Sequence, residues 1–415
     1  MKLLSKAALG IALATGSISM MAAMPAQAQK KKKDEAKGPQ FELSKEFRAA
    51  MTPVDTAYKA QNWAGVLTAI DAGEAAATTP DEKYVLNQYR LDAATKANDP
   101  NNQAKAIDAM LATGKVPAAD VAKFHFFSGK FAKDRNDLAR AESELAQAVQ
   151  GGFTGVDLYL TQAQTYSALK KYPQALAALD QAIKSEEAAG KKPPEDWYKF
   201  GFGQAYKGNM GPEVLKWTMM HVKAYPSAEN WRTALVMYRD TQKLGSKVEL
   251  DLYRLMLASK ALAGEKDHYD YAYIANQAGL PGEAKVALDN LKTTGSISSA
   301  GVNDLYKEVS GKAAGDKASL AAEEKRAGAA ANGVNAANIA NAYLGYGEYA
   351  KAASLFQTAL TKGGVDADEV NTRLGIAFAM SGQKDQAKAS FAKVQAPARS
   401  GVAQLWTAWI DRPAA

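Results

Sequence analysis

ANIANAYLGYGEYAKAASLFQTAL, residues 337–360, sets small and bulky residues at fixed intervals: Ala340, Tyr343, Ala352, Phe356 and Ala359. The same intervals recur along the chain. Downstream they fall on Leu374-Gly375, Phe378, Ala387 and Phe391. Upstream they fall on Ala272, Ala275, Ala284 and Leu288, and again on Ala163, Tyr166, Ala175, Leu179 and Ala182. Ala175, Leu179 and Ala182 stand at i, i+4 and i+7, which is one face of a helix. Small residues where two antiparallel helices cross let the backbones approach, and Tyr, Phe or Leu fill the grooves beside the crossing. One such pair buries too little to stand alone, so neighbours must stack into a continuous core.

Gly129, Ala163, Gly201, Leu235, Ala272, Ala340 and Gly375 occupy one place in successive units, at spacings of 34, 38, 34, 37, 68 and 35 residues. The 68 reads as two units and predicts a degenerate one centred near Tyr306. The 38 absorbs SEEAAGKKPP, 185–194, where Gly and paired Pro predict a loop. Turns recur as well: Asn62-Trp63, Lys171-Tyr172-Pro173, Gly279-Leu280-Pro281 and Gly347-Glu348-Tyr349 each precede an expected second helix.

The pattern resembles the tetratricopeptide repeat, whose signature runs W-x2-L-G-x2-Y, then A-x3-F, then P. The resemblance implies an all-α superhelical solenoid of about ten helix pairs. It also implies a concave wall built by first helices, along which ligands lie. The expected solenoid spans 41–411: degenerate repeats at 41–115, central repeats at 116–310, a weak Ala/Gly-rich helix pair at 311–333, the clearest repeats at 334–396 and a terminal helix at 397–411. The 311–333 stretch has few large apolar residues and is expected to be the softest.

Residues 1–28 read as a cleaved secretory signal: Lys2 and Lys6, an apolar run from Ala7 to Ala14, and Ala26-Gln27-Ala28 before the expected cut. A Gram-negative periplasm is the expected compartment. Of the net charge of +7, Lys2 and Lys6 supply two and the linker at 29–40 supplies three, so the repeats are nearly neutral. Nucleic-acid binding, which needs Lys and Arg clustered on the fold, is not expected. Lys30, Lys31, Lys32 and Lys33 read as a solvated basic linker, with weak contact to wall polymer or a membrane surface as the alternative. The chain has no Cys, which excludes disulfides, thiolate metal sites and Cys nucleophiles.

Catalytic motifs are not found. His125, His221 and His268 lie in different units without metal-ligand spacing. GFGQAYKG, 201–208, follows Trp197 and Phe200 in an expected repeat helix rather than a strand, so it is not read as a phosphate loop. Glu323-Glu324 reads as a solvated helix face. No enzyme activity, cofactor or metal is expected.

The central units are rich in aromatics, of which Trp197, Trp231 and Tyr238 match core places of the signature. Taking Gly201, Leu235 and Ala272 as crossing points, the positions one after and three before each are expected to face the concave wall. With one further turn, the candidate groove is Tyr198, Phe202, Arg232, Arg239, Tyr269, Tyr273 and Asn276. Aromatic faces alternating with Arg suit an extended peptide or a glycan. The expected function is a non-catalytic scaffold for a protein or peptide partner in the cell envelope, with a cell-wall glycan or peptidoglycan binder as the alternative. Trp406 and Trp409 are expected to close the last repeat.

Overall fold

A computed structural model of the chain describes residues 41–412, so the expected signal and basic linker lie outside the described residues. The described residues form helices in two compact units that part between Pro193 and Pro194. The boundary falls in the expected loop. That loop is shorter than expected, because the preceding helix runs to Ala188 before Gly190 and the two prolines end it.

The first unit contains α1 (Lys45–Ala50), α2 (Thr52–Lys59), α3 (Trp63–Glu74), α4 (Pro80–Lys96) and α5 (Pro100–Ala112). It continues with α6 (Ala118–Asp134), α7 (Leu138–Gln150), α8 (Val156–Ala168) and α9 (Tyr172–Ala188). The pairs are α2 with α3, α4 with α5, α6 with α7 and α8 with α9. In every pair a left-handed residue stands two places before the second helix: Gln61, Asn98, Asn136 and Lys170. Asn62, Asp99 and Asp137 then cap three of those second helices through their side chains. The crossing is as close as the small residues imply, since a Cβ on Gly129 would lie 2.8 Å from Leu145.

Glu82 ties the start of the first unit to α4. Fully buried, it accepts from the Ser44 backbone and hydroxyl at 2.9 and 2.6 Å and from the backbones of Thr78 and Thr79 at 2.9 and 3.0 Å. Burial alone would raise its pKa, but the bonds from Ser44, Thr79 and Thr78 together hold it well below the usual carboxylate range. Glu82→Ala leaves these donors unpaired and is expected to cost about 3 kcal/mol. Faster amide hydrogen exchange at 41–60 would register the loss, and unchanged protection there would contradict it.

The second unit begins with α10 (Glu195–Lys207), α11 (Gly211–Ala224), α12 (Ala228–Thr241) and α13 (Ser246–Ala258). Then come α14 (Gly264–Gln277), α15 (Pro281–Thr294), α16 (Ala300–Ala329), α17 (Val334–Gly345) and α18 (Tyr349–Lys362). It ends with α19 (Ala367–Met380), α20 (Lys384–Phe391) and α21 (Pro397–Ile410). Left-handed Asn209, Gly279, Gly347 and Gly382 mark the same turn in the pairs α10/α11, α14/α15, α17/α18 and α19/α20. Their crossings are equally tight. A Cβ on Gly201 would meet Trp217 at 2.2 Å, and one on Gly375 would meet Phe391 at 2.5 Å.

Two places depart from the expected repeat. Where a weak helix pair was expected at 311–333, α16 runs from Ala300 to Ala329 as one helix of 30 residues. Its Gly residues weaken it without ending it, because no Pro or left-handed residue interrupts the run. Val302, Leu305, Val309, Ala313, Leu320 and Ala327 give it a single sparse buried stripe. Hydrogen exchange is therefore expected to be fastest, within the second unit, over 311–333, and protection matching that of 335–395 would contradict this.

The second departure lies between α12 and α13, where the left-handed turn residue is missing. The C-terminal helix α21 packs there instead, against α11, α13, α19 and α20. Tyr238 of α12 donates its hydroxyl to Ala398 O at 2.7 Å, and Gly401 leaves room for that hydroxyl, which a Cβ would meet at 2.2 Å. Trp406 is fully buried and donates Nε1–H to Asp251 O of α13 at 3.3 Å. The last helix thus returns to the middle of the unit, and the helices from α13 to α21 form a closed ring rather than an open spiral.

Candidate functional site

Closure turns the expected open groove into a cavity that stays partly open to solvent. Helices α13, α14, α16, α17 and α19 surround a cavity of about 640 Å³. α13 supplies Ser246, Lys247 and Leu250, and α14 supplies Tyr273, Ile274 and Gln277. Asp316, Leu320 and Glu323 come from α16, Asn338, Ile339, Asn341 and Ala342 from α17, and Glu369 and Arg373 from α19. Ala278, Gly279 and Leu280 between α14 and α15 complete the wall, to which α21 contributes nothing.

The ring is joined beside this cavity by a buried ionic cluster. Asp251, fully buried, receives Arg254 Nη1 at 2.6 Å and Arg373 Nε at 3.1 Å on one oxygen, and Arg399 Nη1 at 2.8 Å on the other. Arg254 also grips Glu283 with two bonds, at 2.7 and 2.6 Å, and Tyr271 donates to Glu283 at 2.8 Å. Arg373 reaches Glu369, which also pairs with Lys247 at 2.9 Å and Arg399 at 3.5 Å. Three carboxylates and three guanidiniums balance, and they tie α13 to α15, α19 and α21. Burial raises the Asp251 pKa, but Arg373, Arg254 and Arg399 outweigh it and hold the carboxyl below its ordinary value.

The seven expected groove residues do not converge on one groove. Tyr273, 46% exposed, lines the cavity. Tyr269 stacks on it at 6.0 Å between centroids but is half-buried against the core. Tyr198 is a correction: it is 2% exposed, packed near His221 and Tyr225, and belongs to the core. Phe202 is half-buried against His221. Arg232 pairs with Asp267 at 2.5 Å, Arg239 donates to the Tyr253 hydroxyl at 3.0 Å, and Asn276 donates to Glu308 at 3.0 Å. Arg232 and Arg239 stand on α12, which supplies no wall residue of the cavity.

The core places are as expected for Trp197, Trp231 and Tyr238, all buried, and 201–208 lies in and just after α10. The histidines are tied up structurally. His221 meets Glu195 at 2.9 Å, His125 meets Glu144 at 2.7 Å, and His268 meets Gly264 O and Asn290. Burial pushes the His221 imidazole below its usual value, so at neutral pH it is uncharged and donates to Glu195. Glu323 and Glu324 are not a solvated face: Glu323 lines the cavity and Glu324 accepts from the Tyr343 hydroxyl at 2.7 Å.

Sequence reasoning missed the ionic cluster and the acidic side of the cavity. One signal was present. Sixteen residues after the crossing points Gly129, Ala163, Ala272, Ala340 and Gly375 stand Leu145, Leu179, Leu288, Phe356 and Phe391; after Leu235 stands Asp251. A carboxylate at a core place demands buried cations.

No protein-family model matches the chain, and none of the curated proteins matches it. Among solved structures it is similar to a tetratricopeptide repeat protein from Parabacteroides merdae ATCC 43184, at 10% identity over 72% of this chain and 99% of that one, with a TM-score of 0.31. It is similar to the P58(IPK) TPR domain at 10% identity, over 88% of this chain and 98% of that one, with a TM-score of 0.22. The pentatricopeptide repeat protein PPR10 from maize shows 12% identity over 86% of this chain and 61% of that one, with a TM-score of 0.29. Like these, the chain is an all-helical repeat protein; its own helix pairs and their Gly and Ala crossings carry that statement.

Proposed function

We propose that the protein is a non-catalytic interaction scaffold of the bacterial cell envelope, and that it holds a segment of a protein partner at the cavity of its second unit. The observation that carries this reading is the cavity itself, walled by α13, α14, α16, α17 and α19 and bearing the exposed Tyr273 ring. Its wall offers carboxylates, the cations Lys247 and Arg373, amides and apolar side chains but no His. Such a surface suits binding rather than bond breaking. Among the described residues no group of three or more His, Cys, Asp or Glu is placed to hold a metal, and no helix is long and apolar enough to cross a membrane. The envelope location rests on the signal-like residues 1–28.

Crosslinking capture from a periplasmic extract tests the reading, comparing the wild type with Tyr273→Ala. This single change is preferable to one that includes Tyr269, whose ring is partly core. A partner captured by the wild type and reduced at least about tenfold by Tyr273→Ala, a loss of about 1.4 kcal/mol, is the expected result. Equal capture by both would move the contact elsewhere. Sedimentation with purified cell wall but no protein capture would favour glycan binding instead.

A further inference from the structure

We propose that the start of the second unit is an acid-sensitive joint: on mild acidification the buried His221 imidazole takes up a proton, and the packing of α10, α11 and α12 around it loosens. The inference stands apart from the cavity and holds or fails without it.

One carboxylate oxygen joins the three helices. Glu195 Oε1, at the start of α10, receives His221 Nε2 of α11 at 2.9 Å and Asn230 Nδ2 of α12 at 2.9 Å. Lys199 Nζ, one turn along α10, meets the same oxygen at 3.3 Å. Asn230 Nδ2 also donates to Tyr225 O at 2.8 Å, which fixes the link between α11 and α12. The His221 imidazole is 1% exposed and lies among three aromatic rings, Phe202 at 5.6 Å and Tyr198 and Tyr225 each at 6.3 Å between centroids. A carboxylate only accepts, so Nε2 carries the proton, and a neutral imidazole already completes this bond.

A second proton on the ring finds no anion of its own. Glu195 is ionised, since the bonds from His221 and Asn230 hold its carboxyl down to about 2, and its one negative charge already faces the Lys199 ammonium. The other neighbours add none. Asn230 is neutral, burial keeps the Tyr225 phenol protonated, and Arg399 of α21, which also packs on α11, faces Asp251 and Glu369. Protonating His221 sets two cations against one carboxylate, with the imidazole shut off from water. The ring faces and Glu195 attract the added charge, but burial outweighs them and pulls the His221 pKa below its ordinary value. The folded chain therefore binds this proton more weakly than the unfolded one. The stabilisation is complete above the unfolded value near 6.5 and is lost as the pH falls through the lower folded value. Because α11 packs on α21 and Tyr238 of α12 holds Ala398 O, the loosening reaches the helix that closes the ring.

Amide hydrogen exchange of the full chain at pH 7.5 and pH 5.5, compared as protection factors, tests the joint. In the wild type, protection across α10–α12 and α21 is expected to fall at least about threefold at the lower pH. In His221→Gln, which keeps a donor for Glu195 but does not titrate, protection is expected to stay level. His125 and His268 remain in both proteins, so the difference belongs to His221. Equal wild-type protection at the two pH values, or the same fall in His221→Gln, overturns the proposal. A fall across α10–α12 that spares α21 upholds the joint and confines it to those three helices. Should the variant fail to fold, NMR titration of the wild-type imidazoles decides, with resonances assigned through His125→Gln and His268→Gln. A His221 midpoint below the free value near 6.5 is expected, and a midpoint at or above it overturns the joint.

Discussion

Asp251→Ala is expected to destabilise the second unit by about 3–5 kcal/mol, because it strands three buried guanidiniums that share one carboxylate. Arg254 keeps Glu283, but Arg373 and Arg399 keep only Glu369, which Lys247 also occupies. Urea unfolding followed by Trp fluorescence measures the loss, since every Trp except Trp63 lies in this unit. A shift below about 1 kcal/mol would mean that the ions are hydrated rather than buried. The cluster also carries a pH signature. The Asp251 pKa is lowered in the folded state, so its stabilisation is fully present above the unfolded value near 4 and disappears as the pH falls through the folded value. The wild type should therefore lose stability below about pH 4, and Asp251→Asn should flatten that dependence.

Trp406→Ala should cost about 3–5 kcal/mol and open the ring. The ring is fully buried, lies 6.5 Å from Phe391 and is edged by Trp409 at 5.4 Å, and its N–H holds the α13 backbone. In a linear array a last helix only covers its neighbour, and truncating it would loosen α19 and α20 alone. Here α21 also meets α11, α12 and α13. Hydrogen exchange should therefore accelerate in α12 and α13, about 150 residues away in sequence, as well as in α19 and α20. Acceleration confined to α19 and α20 would refute closure. Loss of the cavity should follow, seen as weaker binding of any ligand it holds.

How much of this was legible depends on whether a feature is periodic. Gly129, Gly201 and Gly375 announce their crossings because each faces a bulky residue sixteen positions later, Leu145, Trp217 and Phe391. Pair geometry is local and repeats, so one good unit interprets the others. Of the expected groove residues, Tyr273 lines the cavity, a position that follows from its own pair. Arg232 and Arg239 instead pair with Asp267 and the Tyr253 hydroxyl, partners on other helices that the phase of α12 alone does not reveal. The Ala-rich segment around 311–333 was also misread, since a phase count cannot tell a worn helix pair from one long helix.

The sequence by itself determined that the chain is built of helix pairs, where most of them turn, and which small residues let them cross. Those features arise from steric fit and backbone geometry within about 34 residues, the period of the repeat. Only the tertiary structure decided that the second unit closes on itself, that Asp251 sits among three guanidiniums, and that Asp316 and Glu323 of α16 line the inner cavity. Curvature accumulates from a small rotation at every helix-pair interface. Whether the sum brings the last helix back to the middle of its unit is written in no single repeat.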